Sequence, residues 1–257
     1  MSLYDDALTS LKQAMPKKGF FSSLDFSFSH LTVITYLVPL KQLPVTLPPW
    51  LEVVTSDEYP EYALVSSVLV KCQGHNIFSW LSFVRNNYRL YVWDNIEKKY
   101  GVWLFKMYLS TLWYPFPKML NHPVGLKKME LDYNRYTVEW TQSSLKRQMD
   151  TGFAKVRSTG KMPKWLREGG RVQKQFLLYP ESAFFLRRDG RIGEVPIIYE
   201  GDDVYEGAVE EARFPWFEFY NLQGLIGDEA HFHSCLYIPE GRFRTVFPKT
   251  HGFFREQ

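Results

Sequence analysis

The chain has 257 residues and a formal net charge of +3, with 45% hydrophobic and 23% charged residues. That balance is ordinary for a soluble globular protein and too weakly basic to imply a nucleic-acid partner. The aromatic content is not ordinary: 20 Phe, 16 Tyr and 8 Trp make 17% of the chain, and aromatics favour strands and give binding sites rigid, amphipathic walls.

The first predicted element is a helix. Leu3, Ala7, Leu8, Leu11, Ala14 and Met15 share one helical face behind a weak capping box of Ser2 and Asp5, and Pro16 and Gly19 end it; residues 1–18 therefore read as an N-terminal helix. Asp5 and Asp6 stand where a signal peptide would carry positive charge. The longest apolar window, 31–40, is about half of what a membrane span needs. A soluble, cytoplasmic protein without a membrane partner is expected.

After the helix, β-branched and aromatic runs dominate. They cover 31–38, 62–70, 88–94, 100–110, 125–133 and 135–142, then 176–187, 195–199, 207–213 and 230–238. Turn residues separate them: "DNIEKK" at 94–99, the hairpin point at Asp132–Asn134, and "RRDGR" at 187–191 with Gly190 suited to positive φ. Many short strands without alternating helices predict a barrel or sandwich, one domain over 1–257. Cys72 and Cys235 each lie in an apolar, strand-like run; they read as buried thiols, with a disulfide between them left open.

Residues 143–174 differ in composition. Nine Lys or Arg face two acids, Asp150 and Glu168, for a net +7, which leaves −4 on the rest of the chain. This basic excursion reads as a solvated rim on one side of the sheet, or as an anion-attracting rim over a pocket. Nucleic-acid binding ranks below both, because no recognition helix or knuckle accompanies the charge.

Several residues are candidates for chemistry. In "TLWYPFPKML" (111–120), Lys118 sits among Trp113, Phe116 and two prolines. Pro115 and Pro117 fix φ at two positions, so the amine either is held in apolar surroundings and reactive, or is a solvated lysine beside a stiff loop. In "YRLYVW", Arg89 and Tyr91 share a strand face with Trp93; an inward Arg89 could hold a carboxylate bidentately, or form a structural salt bridge. His122 follows Lys118 by four residues and could move a proton, or be a plain loop histidine. Lys106 and the tandem Lys127–Lys128 are lesser candidates for an inward cation. His231 and His233 share a strand face but have no third ligand in view, so no metal is expected. No phosphate loop, Cys-x-x-Cys pair, nucleophile elbow or His-Glu-x-x-His helix appears, which argues against nucleotide enzymes, serine hydrolases and zinc proteases of familiar type.

These stretches also resemble a known superfamily. "LPVTLPPWLEV" (43–53), the apolar strand at 62–70, and "NNYRLYVWDNIEKKYGVWLFKMYLSTLWYPFPKML" (86–120) are similar in order to the opening half of acetoacetate-decarboxylase-like proteins. The pattern of Arg89, Tyr91, Gly101, Val102 and Trp103, with "FLLYPESAFFLRRDGRI" (176–192), "EARFPWFEFYNL" (211–222) and "CLYIPEGRFRTVFP" (235–248), resembles the superfamily's YqjF-like branch. The resemblance implies an α+β, strand-dominated fold: an antiparallel, cone-like β-barrel with a pocket inside, commonly in a homo-oligomer. It implies a cofactor-free lyase acting on a small keto acid or related carbonyl compound. Phe116-Pro117-Lys118 matches the family's Schiff-base motif, so Lys118 would be catalytic. Arg89 would hold the carboxylate, and Tyr91, Trp103, Trp113, Phe116 and His122 would line the substrate. Met119 stands where the decarboxylases carry a second lysine, and 62–70 lacks their glutamate; burial is then the means left to lower the Lys118 pKa. The alternative is a non-catalytic binder of a small aromatic or aliphatic molecule in the same barrel.

Overall fold

The computed structural model describes residues 23–43, 45–56, 58–75, 79–110, 122–134, 137–143, 152–164, 177–200, 203–214, 232–246 and 249–253. The helix expected over 1–18, Trp113, Phe116, Lys118 and His231, and most of the basic excursion, lie outside the described residues. Fourteen strands are described: β1 Ser23–Pro39, β2 Leu51–Val53, β3 Tyr62–Gly74, β4 Ser82–Asp94, β5 Lys99–Leu109, β6 Val124–Leu126, β7 Lys128–Tyr133, β8 Thr137–Ser143, β9 Gly152–Ser158, β10 Ser182–Leu186, β11 Arg191–Glu200, β12 Tyr205–Arg213, β13 Phe232–Val246 and β14 Lys249–Phe253. The strand-dominated architecture is the one expected. Among the described residues no helix is long and apolar enough to cross a membrane.

Seven of these strands close a ring, in the order β11-β10-β5-β4-β3-β1-β13, and β13 returns to β11 from Ile197↔Thr245 to Glu200↔Arg242. An odd ring cannot be antiparallel throughout, since strand direction would have to alternate around an odd number of steps. One neighbouring pair must run parallel, and it is β5 with β10, where Ser182–Phe184 lie beside Gly101–Trp103. From β13 a second run of strands, β12-β9-β8-β7, leaves the ring as a side sheet. Residues 152–158, expected in the basic excursion, are the strand β9 between β8 and β12. Its Lys155 pairs with Glu139 and Glu210, and its Arg157 with Glu210.

Alternation along the strands sorts the apolar residues into two cores. The inner one takes side chains from every ring strand, among them Phe28, Val68, Tyr91, Val102, Phe185 and Leu236. The outer one is made by the opposite faces, with Ile34, Leu90, Trp103 and Phe184 packed toward Val138, Trp140 and Val156 of the side sheet. Two irregularities keep long strands in phase with the inner core. In β1, Phe26 and Phe28 face in before residue 30, and Leu31 and Val33 face in after it; the shift is a bulge against β3 between Ser29 and Thr32, with His30 at φ 53. In β5, Val102 and Leu104 face in with the inner core, and after a shift opposite Tyr88/Arg89 the inward residues become Met107 and Leu109. Gly241 is required where Phe28 crosses β13: a Cβ there would lie 2.4 Å from the Phe28 ring and 2.8 Å from the Glu200 carbonyl.

The parallel seam carries a polar clasp on its outer side. Glu194 of β11, fully buried, accepts hydrogen bonds from Lys99 of β5 at 2.6 Å, from Ser182 of β10 at 2.7 Å and, on its other oxygen, pairs with His251 of β14 at 2.8 Å. Burial works to raise its pKa, but Lys99 first, then Ser182 and His251, outweigh that and hold the carboxyl down at about 2. Cys72 and Cys235 are free and buried, one in each core. Burial pushes the Cys72 thiol up to about 11, with Arg85 opposing, so it is protonated at neutral pH.

Candidate functional site

The inner face of β4 carries Arg85, Asn87, Arg89 and Tyr91 at a spacing of two. Their partners on β3 across the pair are Val70, Val68, Ser66 and, beyond Ser66, Leu64, all inward. Arg89 is only 3% exposed. Its Nη2 donates to the Tyr91 hydroxyl and to the Leu177 carbonyl, both at 3.0 Å. The Tyr91 hydroxyl in turn donates to the same carbonyl at 3.0 Å and accepts from Ser66 at 2.9 Å, and Ser66 bonds Thr35 at 2.9 Å. A short polar ladder thus runs from β1 through β3 to β4 and ends on the guanidinium. Leu177 and Leu178 belong to the inner core, so the carbonyl that receives Arg89 comes from the chain entering β10.

What this ladder lacks is a carboxylate. Among the described residues no acid pairs with Arg89 or Arg85. The two acids buried among the described residues are engaged elsewhere: Glu194 in the outer clasp, and Asp94 accepting the turn N–H groups of Ile96 and Glu97 at 2.8 and 3.0 Å. Arg89 Nε, Asn87 Oδ1 and Arg85 Nε are buried without a partner. Buried polar groups in folded proteins are almost always satisfied, and a cation taken out of water without a counter-charge costs several kcal/mol. Three such atoms lie on one strand face.

His122 lies against this interior. Its ring stacks on the inward Phe185 at 4.3 Å between centroids, and its Nδ1 is buried without a partner. Burial, and secondly the charge of Arg187, hold its pKa down at about 4. It is a neutral imidazole at neutral pH, one ring nitrogen carrying a proton and the other able to accept one.

Arg89, Tyr91 and His122 are therefore brought to the inner side of the ring. Trp103 is not. It lies between the inward Val102 and Leu104, opposite Leu90, in the outer core; strand alternation puts it on the far wall from Arg89. Lys106 and Lys127 rest against Tyr108, whose ring meets the outer-core Tyr88, and Lys128 is in an exposed pair with Glu130. None of these lysines joins the inner ladder. His233 bonds Ser234, and among the described residues no three metal-ligating side chains converge. Ser66, Thr35, Asn87 and Arg85 were not singled out by sequence reasoning. The signal for the last two was present as the period-two set Arg85, Asn87, Arg89 in "VRNNYRLY".

Residues 26–237, from β1 into β13, match DUF2071, a family described as an uncharacterized conserved protein. The chain belongs to this family. No curated relative is found by sequence. Solved structures that the DUF2071 chain resembles include acetoacetate decarboxylase from Legionella pneumophila, at 13% identity over 96% of each chain with a TM-score of 0.58. An acetoacetate decarboxylase-like enzyme from Sphingomonas wittichii RW1 shows 10% identity over 90% of this chain and 93% of its own, TM-score 0.58. The enduracididine biosynthesis enzyme MppR complexed with pyruvate shows 11% identity over 92% of this chain and 93% of its own, TM-score 0.62. At such identities the likeness shows the fold: this DUF2071 member has the acetoacetate decarboxylase-like fold.

Proposed function

We propose that the protein is a cofactor-free lyase that cleaves a small keto acid inside the ring through a lysine Schiff base. The observation that carries this reading is the buried guanidinium of Arg89, which has a polar ladder behind it and no carboxylate partner among the described residues. A substrate carboxylate supplies the missing charge and two in-plane hydrogen bonds. The fold shared with acetoacetate decarboxylase-like enzymes supports it, as does the pyruvate in the complex with MppR.

The nucleophile in this reading is Lys118, four residues before His122; four extended residues reach at most about 14 Å. Its neutral amine adds to the ketone carbon and water leaves, giving an iminium. The bond between the adjacent carbon and the departing carboxylate breaks, and its electron pair moves to the iminium nitrogen, forming an enamine and carbon dioxide. The enamine carbon takes a proton, with His122 as the relay, and water then releases the ketone and the free amine.

The test is reductive trapping. With borohydride and a panel of small keto acids, the intact protein gains the mass of the reduced adduct, and Lys118→Met abolishes the gain. The rival is a non-catalytic binder of a small molecule, favoured by Met119 and by the serines at 66 and 67 where decarboxylases carry an acid. No adduct with any keto acid, or an equal adduct in the Lys118→Met protein, decides for the binder.

A further inference from the structure

We propose that Arg85 makes this site selective for a keto acid with a second carboxylate, a keto diacid. The proposal rests on the reading of the ring interior as a keto-acid site and adds the substrate class. Arg85 lies four residues from Arg89 on the same inward face of β4, about 13 Å away at Cα. It stands opposite the inward Val70 on β3 and Leu109 on β5. Its guanidinium carbon sits 4.8 Å from the ring of the inner-core Phe243. Stacking uses the face of a guanidinium and leaves its in-plane N–H donors for an anion. One of these, Nε, is buried and has no partner.

The charge of the interior makes the same point. Arg85, half-buried, and Arg89, buried, bring two cations to one inward strand face, and no carboxylate among the described residues pairs with either. A monoanionic substrate bound at Arg89 leaves Arg85 uncompensated. A diacid offsets both, and the unpartnered Asn87 Oδ1 between them then accepts from a hydroxyl or a water on the ligand. Half-buried against the Phe243 ring and near the Cys72 thiol, Arg85 meets no carboxylate among the described residues, and opposite a second substrate carboxylate it discriminates by a charge-assisted hydrogen bond.

The experiment measures binding of carboxylates that cannot form an imine, so that it is independent of Schiff-base chemistry. Glutarate and butyrate are titrated calorimetrically into the wild type, Arg85→Gln, Arg85→Lys and Arg89→Gln. The wild type is expected to bind glutarate roughly tenfold or more tightly than butyrate. Arg85→Gln should lose that preference and leave butyrate unchanged, Arg85→Lys should keep most of it, and Arg89→Gln should weaken both ligands. Because Arg85→Lys retains charge and most of the stem, a loss confined to Arg85→Gln is a loss of charge and not of packing. Glutarate binding no tighter than butyrate, no binding of either, or a preference that survives Arg85→Gln overturns the proposal. Selectivity without borohydride trapping would sink the lyase reading alone; trapping without selectivity would sink this proposal alone.

Discussion

Replacing Glu194 by glutamine tests how the ring is fastened at its parallel seam. The substitution keeps size and one acceptor but removes the charge that faces Lys99, whose side chain is 13% exposed. Two routes give the magnitude. The Glu194 carboxyl falls from 4.5 to about 2 on folding, and at 1.36 kcal/mol per unit that is roughly 3 kcal/mol of stability at neutral pH. Breaking a buried ion pair by removing one partner costs about 3–5 kcal/mol, so the two agree. The sign follows from linkage: a carboxyl with a depressed folded pKa stabilises fully above pH 4.5, and its contribution is lost as pH falls from there toward about 2. Urea unfolding of wild type and Glu194→Gln at neutral pH, then in a series down to pH 2, reads both effects. The variant should be about 3 kcal/mol less stable at pH 7 and should show a flatter acid limb. A variant within about 0.5 kcal/mol of wild type at pH 7, with an unchanged acid limb, would refute the clasp.

Two further outcomes follow from groups next to the same cores. His122 has a folded pKa of about 4 against an ordinary 6.5, so it takes a proton more readily when unfolded; its contribution is complete above pH 6.5 and is lost as pH falls toward 4. His122→Phe should flatten the stability profile over that window and leave the lower window of Glu194 intact, which the same urea series shows; an unchanged slope between pH 6.5 and 4 would refute the neutral, buried imidazole. At the β1 bulge, His30 holds φ 53, a region that costs an L side chain about 1–2 kcal/mol and glycine nothing. His30→Gly should therefore be more stable than His30→Val by about 1 kcal/mol in urea midpoints, the reverse of the usual order in strands; Val equal to or above Gly would show that the bulge is not needed.

The strand content was legible because aromatic and β-branched runs were separated by turn residues: Tyr62–Gly74 and Ser82–Asp94 extend the runs read at 62–70 and 88–94, and Lys99–Leu109 is offset by one residue from the run read at 100–110. Bulges were not legible, and they decide which residue faces in. Nothing in "FSFSHLTVITYLV" announces that residue 30 absorbs an extra position, yet the shift makes Leu31, Val33 and Leu37 inner and Ile34, Tyr36 and Val38 outer. Arg89 and Tyr91 could be paired from sequence because they are two apart on one strand. Trp103 could not be assigned a wall, since its face depends on register with Leu90 and not on its own neighbours. The ladder from Thr35 through Ser66 to Arg89 joins three strands and has no local signature at all.

Charge shows the same limit more sharply, and it bears on function. The stretch with the most evident positive charge, 143–174, reads from sequence as a solvated rim or as an anion-attracting one. Two of its cations, Lys155 and Arg157, meet Glu139 and Glu210 from flanking strands. Those acids lie outside the basic stretch in sequence and become adjacent through the β8-β9-β12 register, so these two charges are paired across the sheet. The cations of the proposed site lie instead in Ser82–Asp94, which shows no run of charge: Arg85 and Arg89 are separated by polar and aromatic residues and look unexceptional in line. Closing the ring turns one face of that strand inward, where the described acids do not follow, because the buried ones are tied to the seam clasp and to the β4–β5 turn. In the proposed reading an anion site is made by which acids the register leaves off one inward strand face, a feature that no run of charge along the chain displays.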